Sequence, residues 1–152
     1  MSNDEVEILY IEDNAADVEL TLVALRRTRI ANRIHVARDG AEALDFLFCR
    51  GTYADRQFLP PKLILLDMKL PKVDGLEVLH AIRENELTKL IPVVVLTSSN
   101  EQKDMLESYK LYVNSYIQKP VDFDQFQRVV QQLGLYWLVA NQTPLPESSL
   151  VR

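Results

Sequence analysis

The stretch LILLD, residues 63–67, places four consecutive apolar residues directly before a carboxylate. Residues 93–97 (VVVLT) repeat the arrangement, with a hydroxyl side chain after the apolar run. A strand that is apolar on both faces is typical of a parallel sheet covered by helices on both sides, whereas strands of antiparallel sheets commonly alternate. These two runs therefore predict two central strands of an α/β fold.

The rest of the chain extends this pattern. Apolar or β-branched runs predict five strands, at Val6–Ile11, Ile34–Ala37, Leu63–Leu66, Val93–Leu96 and Ser115–Ile117. Apolar residues at helical spacing predict five helices, with faces at Ala15, Val18, Leu22 and Leu25; Ala43, Phe46 and Leu47; Leu76, Leu79 and Ile82; Met105, Leu106 and Tyr109; and Phe123, Phe126, Val130 and Leu133. Because alternating strands and helices form right-handed βα units, we predict a doubly wound, five-stranded parallel sheet in the order 2-1-3-4-5.

Composition excludes several classes of protein. The 152 residues include 17 basic and 22 acidic side chains, a net charge of −5, which argues against binding to nucleic acid through its phosphates. No apolar run reaches the roughly 18–20 residues of a membrane span, and the acidic N-terminus is unlike a signal peptide. The single cysteine, Cys49, is expected to be a small core residue. We expect a cytoplasmic protein that binds neither nucleic acid nor a membrane.

Polar residues follow the predicted strands directly, at the sheet edge where α/β proteins bind ligands. They are Glu12 and Asp13 after strand one, Asp67 after strand three, Thr97 after strand four and Lys119 after strand five. Three clustered carboxylates repel one another and need a cation, and hard oxygen ligands without histidine or cysteine suit Mg²⁺. Together with a hydroxyl and an ammonium, this set can accept a phosphoryl group.

At these residues the sequence resembles the receiver domain of two-component response regulators. The resemblance covers residues 5–133, and we expect residues 134–152 to be a C-terminal extension with no separate output domain. The motifs that carry it are Glu12-Asp13, Asp67 with Pro71 and Gly75, residues 39–44 (DGAEAL), Thr97-Ser98 and residues 116–120 (YIQKP). The fold it implies is the flavodoxin-like receiver fold.

The resemblance also implies a role for each site residue. Asp67 matches the phosphoacceptor, and Glu12, Asp13, Asp67 and the backbone carbonyl of Lys69 match the Mg²⁺ ligands. Thr97 and Tyr116 match the switch residues, and Lys119 matches the cation that pairs with the phosphoryl group. The Lys119–Pro120 bond is expected to be cis. Tyr112 stands where the family commonly has glycine, so we expect it to avoid positive φ and the loop before strand five to be shaped differently.

A closer likeness is to the single-domain regulators of bacterial phytochromes. It rests on residues 12–17 (EDNAAD), the insert at 51–55 (GTYAD), residues 91–97 (IPVVVLT) and an aromatic tail that includes Tyr136, Trp137 and Leu138. The likeness implies a sensor histidine kinase of the bacteriophytochrome type as the partner. If the last helix continues past Gly134, Leu135, Leu138 and Val139 point away from the sheet, and we expect a homodimer through the C-terminal region. The alternative is that this region folds back on its own sheet and the protein is a monomer.

Two other functions stay open at this point. The first is a Mg²⁺-dependent phosphohydrolase with Asp67 as nucleophile, although Lys69 is a poor general acid for such an enzyme. The second is an interaction module that works independently of phosphate. The joint presence of Asp13, Asp67, Thr97 and Lys119 argues against this second function. We predict a phosphorylation-switched signalling protein and not an enzyme.

Overall fold

A computed structural model of the chain describes residues 6–27, 33–68, 74–98, 103 and 110–135. Within them, five parallel strands form one sheet in the order β2-β1-β3-β4-β5, which confirms the predicted topology. The strands are β1 (Ile8–Ile11), β2 (Ile34–Ala37), β3 (Leu63–Asp67), β4 (Val93–Thr97) and β5 (Ser115–Gln118). The helices are α1 (Ala15–Arg27), α2 (Gly40–Phe48), α3 (Gly75–Glu84) and α4 (Phe123–Gln132), with a 3-10 turn at Gly51–Tyr53. The predicted helix at Met105–Tyr109 lies outside the described residues, as does the chain after Leu135.

The sheet separates two apolar layers. Successive strand residues point to opposite faces, so Tyr10 packs in the layer beneath α1 and α4, and Ile11 packs in the layer beneath α2 and α3. Phe126 of α4 is fully buried in the first layer, and Leu79 of α3 is fully buried in the second. Helices therefore cover both faces, as the continuous apolar strands predicted.

Each of these four helices begins close to the carboxyl end of the strand that precedes it in the chain. A side-chain oxygen caps every one of these starts by accepting a backbone N–H from the first turn. The capping residues are Asn14 for α1, Asp39 for α2, Asp74 for α3 and Asp122 for α4. The chain thus turns from strand to helix at one common edge of the sheet, where the polar residues were predicted to meet.

The expectation for Tyr112 is wrong, because Tyr112 has a φ of 53°. The guanidinium of Arg83 explains how a bulky residue is held in this region. Its Nη2 donates to the carbonyl oxygen of Tyr112 at 2.9 Å, and the cation lies 5.8 Å from the centroid of the Tyr112 ring. Arg83 also donates to the carbonyls of Leu111, Lys89 and Ile91. These bonds offset the usual cost of left-handed backbone in a non-glycine residue.

The last described helix does not continue past Gly134, and Leu135 does not point away from the sheet. Gly134 has a φ of 71°, its N–H donates to the carbonyl of Gln131, and the N–H of Leu135 donates to that of Val130. This pair of bonds is a Schellman motif, for which glycine is the preferred left-handed residue. Leu135 is consequently buried in the α1–α4 layer, although it was assigned to the extension.

Cys49 was expected in the core but lies half-buried at the end of α2, with a φ of 55°. The helix ends there in a left-handed residue, which turns the thiol towards Arg56 Nη1 at 3.6 Å. The long connection from α2 to β3 packs against the edge strand β2. There the ring of Tyr53 makes edge-to-face contacts with the rings of His35 and Phe46.

None of the helices in the described part of the chain combines the length and apolarity needed to cross a membrane.

Candidate functional site

Four strand ends bring the predicted side chains together. Glu12 and Asp13 follow β1, Asp67 ends β3, Thr97 ends β4, and Lys119 follows β5. The register aligns these ends, because Ile11 pairs with Leu66, Asp67 with Leu96 and Thr97 with Gln118. The backbone N–H of Lys119 donates to the carbonyl of Thr97 at 2.8 Å, which joins the last two strand ends.

Three carboxylates cluster at this edge. Glu12, Asp13 and Asp67 each offer an oxygen within 4.8 Å of the others. Glu12 and Asp67 are buried, whereas Asp13 is exposed and opens the cluster to solvent. Such a set suits a divalent cation that binds hard oxygen ligands and keeps several waters.

The ammonium of Lys119 contacts both buried carboxylates. Its Nζ lies 3.1 Å from Asp67 Oδ1 and 3.2 Å from Glu12 Oε1. Burial alone would lower the pKa of Lys119, but the charges of Asp67 and Glu12 outweigh burial and raise this pKa above its usual value. The lysine therefore stays charged throughout the physiological range.

The pKa of the Glu12 carboxyl is strongly shifted from its ordinary value. Burial raises the pKa of its carboxyl to about 7, and the neighbouring Asp67 adds to the rise, while Lys119 opposes it. The Tyr10 hydroxyl lies 3.4 Å from Glu12 Oε1, and the Asn14 backbone N–H lies 3.4 Å from Oε2. A raised pKa means that Glu12 in the metal-free cluster keeps its proton to a higher pH than an ordinary carboxyl, and a bound cation would displace that proton.

The raised pKa of Glu12 predicts how the free energy of unfolding changes with pH. The folded chain holds this proton more tightly than the unfolded chain, so the free energy of unfolding of the metal-free protein should fall as pH rises from about 4.5 to about 7. At about 1.4 kcal/mol for each unit of pKa difference, we expect a fall of about 1–3 kcal/mol. Glu12→Gln should lack this fall, as measured by urea denaturation at a series of pH values.

The exposed Glu19→Gln substitution on α1 is the matched control and should retain the wild-type profile. Saturation with a divalent cation should abolish the fall in the wild type, because the ion binds the ionised carboxylate. Identical pH profiles for Glu12→Gln and the wild type would contradict this assignment.

Gly75 lets α3 start close to Asp67. A Cβ added at Gly75 would lie 2.9 Å from the Cα and carbonyl oxygen of Met68 and 3.0 Å from the carbonyl oxygen of Asp67. These neighbours are backbone atoms that cannot move aside cheaply. Glycine at this position thus permits the close packing that supports the end of β3.

Of the remaining predicted site residues, Thr97 and Tyr116 belong to the described part of the chain and Lys69 does not. Thr97 is buried at the end of β4, and Tyr116 on β5 is half-buried against the α2–α3 layer. The Nζ of Lys103 lies 5.2 Å from the centroid of the Tyr116 ring. The Lys119–Pro120 peptide is cis, as the resemblance implied. Lys69, whose backbone carbonyl was a predicted ligand, lies outside the described residues.

Two residues at this edge were missed by the sequence analysis as members of the site. Asp17, in the first turn of α1, has its Oδ2 3.2 Å from Lys119 Nζ. Arg38, just after β2, donates from Nη2 to the carbonyl oxygen of Asp13 at 3.1 Å. The available signal was positional, because both lie within a few residues of a predicted strand end. Nothing in the local sequence indicated their partners.

The chain is similar to known proteins over most of its length. The family model for the response regulator receiver domain matches residues 8–131. The probable methanogenesis regulatory protein FilR2 of Methanothrix harundinacea is 42% identical over 145 residues, which cover 95% of this chain and 92% of the relative. The response regulator Rcp1 of Synechocystis is 41% identical over 137 residues, which cover 90% of this chain and 92% of the relative.

Solved structures show the same similarity. The bacteriophytochrome response regulator AtBRR gives a TM-score of 0.81 at 50% identity, covering 88% of this chain and 95% of that chain. The Mn²⁺-bound form of Rcp1 gives a TM-score of 0.69 at 38% identity, covering 97% of this chain and 99% of that chain.

Proposed function

This chain belongs to the response regulator receiver domain family, and from that premise we propose that Asp67 accepts a phosphoryl group from the phosphohistidine of a sensor histidine kinase. The observation that carries this proposal is the buried Asp67 carboxylate, which lies 3.1 Å from the Lys119 ammonium at the carboxyl edge of the sheet. A carboxylate is a suitable nucleophile, and a fixed cation beside it stabilises the charge of the group it receives.

The proposed step balances as a single displacement. A bond forms between a carboxylate oxygen of Asp67 and phosphorus while the phosphorus–nitrogen bond of the donor breaks. The donor imidazole keeps the electron pair and takes up a proton. Lys119 pairs with the transferred group, and the Thr97 hydroxyl donates a hydrogen bond to one of its oxygens. Thr97 and Tyr116 then act as the switch residues, next to the surface formed by β5 and α4.

We propose Mg²⁺ as the ion held by Glu12, Asp13 and Asp67, with the backbone carbonyl of Lys69 as a further ligand. The donor set fits, because three carboxylates lie within reach of one another and a single ammonium contacts the two buried ones. When bound, Mg²⁺ neutralises negative charge on the phosphoryl oxygens. The existence of a Mn²⁺-bound form of Rcp1 supports a divalent cation in this type of site.

We propose a phytochrome kinase as the phosphodonor, supported by the 50% identity to a bacteriophytochrome response regulator. Docking requires an exposed surface beside Asp67, and α1 begins at that edge. Its residues Leu20 and Val23 are more than half exposed, which gives α1 an apolar patch available to a partner. The identity to FilR2 makes a kinase of another type the alternative donor.

The direct test is phosphotransfer from a purified, autophosphorylated phytochrome kinase in the presence of Mg²⁺. We expect the phosphoryl group to leave the kinase and to appear on this chain in a base-labile form, as an acyl phosphate requires, whereas the phosphohistidine of the kinase is stable in base. Steady turnover of a phosphate ester would instead favour the phosphohydrolase. Binding of Mg²⁺ without any uptake, from kinases or from a small phosphodonor, would favour the interaction module that does not depend on phosphate.

We also propose that the chain forms a homodimer through its C-terminal region. Support comes from the concentration of apolar residues after the last described helix, at Tyr136, Trp137, Leu138, Val139 and Leu145. Aromatic and aliphatic anchors of this kind are typical of a two-fold interface.

Sedimentation velocity tests this dimer. We expect the full chain to sediment as a dimer and Trp137→Glu to sediment as a monomer, because a charge is costly in an apolar interface. Trp137→Phe is the matched control and should remain dimeric. A chain that ends at Leu135 keeps the buried Leu135 and should also be monomeric. Monomers in every case would refute the dimer, and a dimer that survives truncation would move the interface to β5 and the predicted helix at Met105–Tyr109.

A further inference from the structure

The Lys119 ammonium is fully engaged before any phosphoryl group arrives. Its Nζ lies 3.1 Å from Asp67 Oδ1, 3.2 Å from Glu12 Oε1 and 3.2 Å from Asp17 Oδ2. An ammonium has three N–H donors, and here it meets three carboxylates. A phosphoryl group on Asp67 would bring additional charged acceptors to the same cation. A phosphoryl oxygen can take over the Asp67 contact, and any further hydrogen bond to the transferred group is made at the expense of the contact to Glu12 or to Asp17.

We propose that Asp17 is a positioning residue that holds Lys119 in the unphosphorylated protein and releases it when Asp67 carries a phosphoryl group. This inference rests on the function proposed above. Asp17 and the phosphoryl group then compete for one cation, so Asp17 sets how favourable the modified state is. Asp17 is not one of the three clustered carboxylates, which are those of Glu12, Asp13 and Asp67.

Solvent exposure identifies Asp17 as the partner that yields. The side chains of Glu12 and Asp67 are 0% and 5% exposed, whereas that of Asp17 is 39% exposed. A buried carboxylate that lost its cation would pay a large desolvation penalty, but Asp17 can replace the lost contact with water. Its position in the first turn of α1 also favours a negative charge without Lys119.

The backbone around Asp17 is held independently of its carboxylate. The backbone N–H of Asp17 donates to Asn14 Oδ1 at 2.9 Å, and the carbonyl oxygen of Asp17 lies 3.4 Å from the Tyr10 hydroxyl. The side chain can thus turn away from Lys119 while α1 keeps its start. Replacing Asp17 by asparagine preserves the size of the side chain and removes the competing charge.

Beryllofluoride, a non-covalent stand-in for the phosphoryl group, tests the competition with the full chain and Mg²⁺. Its affinity is measured by isothermal titration for the wild type, Asp17→Asn and Glu19→Gln. We expect Asp17→Asn to bind beryllofluoride about two- to fivefold more tightly, the range for a partly exposed ion pair. Glu19→Gln removes the same charge from an exposed position two residues along α1 and should match the wild type.

The increase should persist in about 1 M salt. At that ionic strength the Debye length is about 3 Å, so charges that do not contact the site no longer affect binding. Equal affinities for the wild type and Asp17→Asn would overturn the inference while leaving the proposed function intact, as would an equal increase in Glu19→Gln. A wild type that binds Mg²⁺ but not beryllofluoride would overturn the proposed function and this inference with it.

A double-mutant cycle gives a second measurement. The free energies of unfolding of Asp17→Asn, Lys119→Met and the double variant yield the coupling between the two side chains. We expect a favourable coupling, and a coupling of zero would overturn the inference. Coupling without any change in beryllofluoride affinity would show a purely structural ion pair and would also overturn it.

Discussion

Asp67→Asn is expected to take up no phosphoryl group under conditions in which the wild-type chain takes up one. The amide is nearly isosteric with the carboxylate, but its neutral oxygen is a poor nucleophile and forms no stable acyl phosphate. The fold should tolerate the change, because it removes one of two buried negative charges that lie against Lys119. Intact-mass spectrometry after incubation with a small phosphodonor and Mg²⁺ measures the uptake directly.

Asp13→Asn is the matched control for Asp67→Asn, because it makes the same chemical change at the exposed member of the cluster. We expect this variant to be phosphorylated, but only at higher Mg²⁺ concentrations, since it keeps the nucleophile and loses a metal ligand. Equal uptake by the wild type and Asp67→Asn would mean that another side chain accepts the group.

The sheet and its functional edge could be predicted because each strand carries its own signal. Apolar runs such as residues 93–96 are too short and too apolar for surface helices, and each ends at a polar residue. In a parallel sheet those ends meet at one edge. Local patterns therefore suffice to bring Glu12, Asp67 and Lys119 together, although Lys119 is separated from Glu12 by more than 100 residues.

Asp17 shows where this reasoning stops. Asp17 lies in the first turn of α1, where the Asn14 side chain caps the helix. Its contact with Lys119 depends on how far α1 leans towards β5 and on the directions of the Asp17 and Lys119 side chains. Packing between elements that are far apart in the sequence sets both quantities, so no local pattern could indicate this contact.

Tyr112 illustrates the opposite error, in which a sound local rule is overridden. Positive φ is unfavourable for a tyrosine considered alone. Arg83, on α3, donates to the Tyr112 carbonyl and faces its ring, and these contacts were invisible in the sequence near Tyr112. The difference arises because backbone preference is a small free energy, which several hydrogen bonds to one guanidinium can exceed.

Lys119→Met is expected to cause the largest loss of stability at the site. The substitution keeps much of the apolar side chain but leaves the buried Glu12 and Asp67 without their shared cation. Removing one partner from a buried ion pair leaves an uncompensated charge, and we expect the free energy of unfolding near pH 8 to fall by about 2–4 kcal/mol. Urea denaturation measures this loss, and Mg²⁺ should recover part of it by supplying positive charge to the same carboxylates.

The surface provides a matched ion pair for comparison. Lys89 Nζ lies 3.0 Å from Glu86 Oε1, a distance close to those at Lys119, but the Glu86 side chain is 84% exposed. Lys89→Met should therefore change the free energy of unfolding by less than about 1 kcal/mol, with no response to Mg²⁺. Lys119→Arg should keep most of the stability, because it restores the charge. Equal losses for Lys119→Met and Lys89→Met would mean that burial does not strengthen the contacts of Lys119.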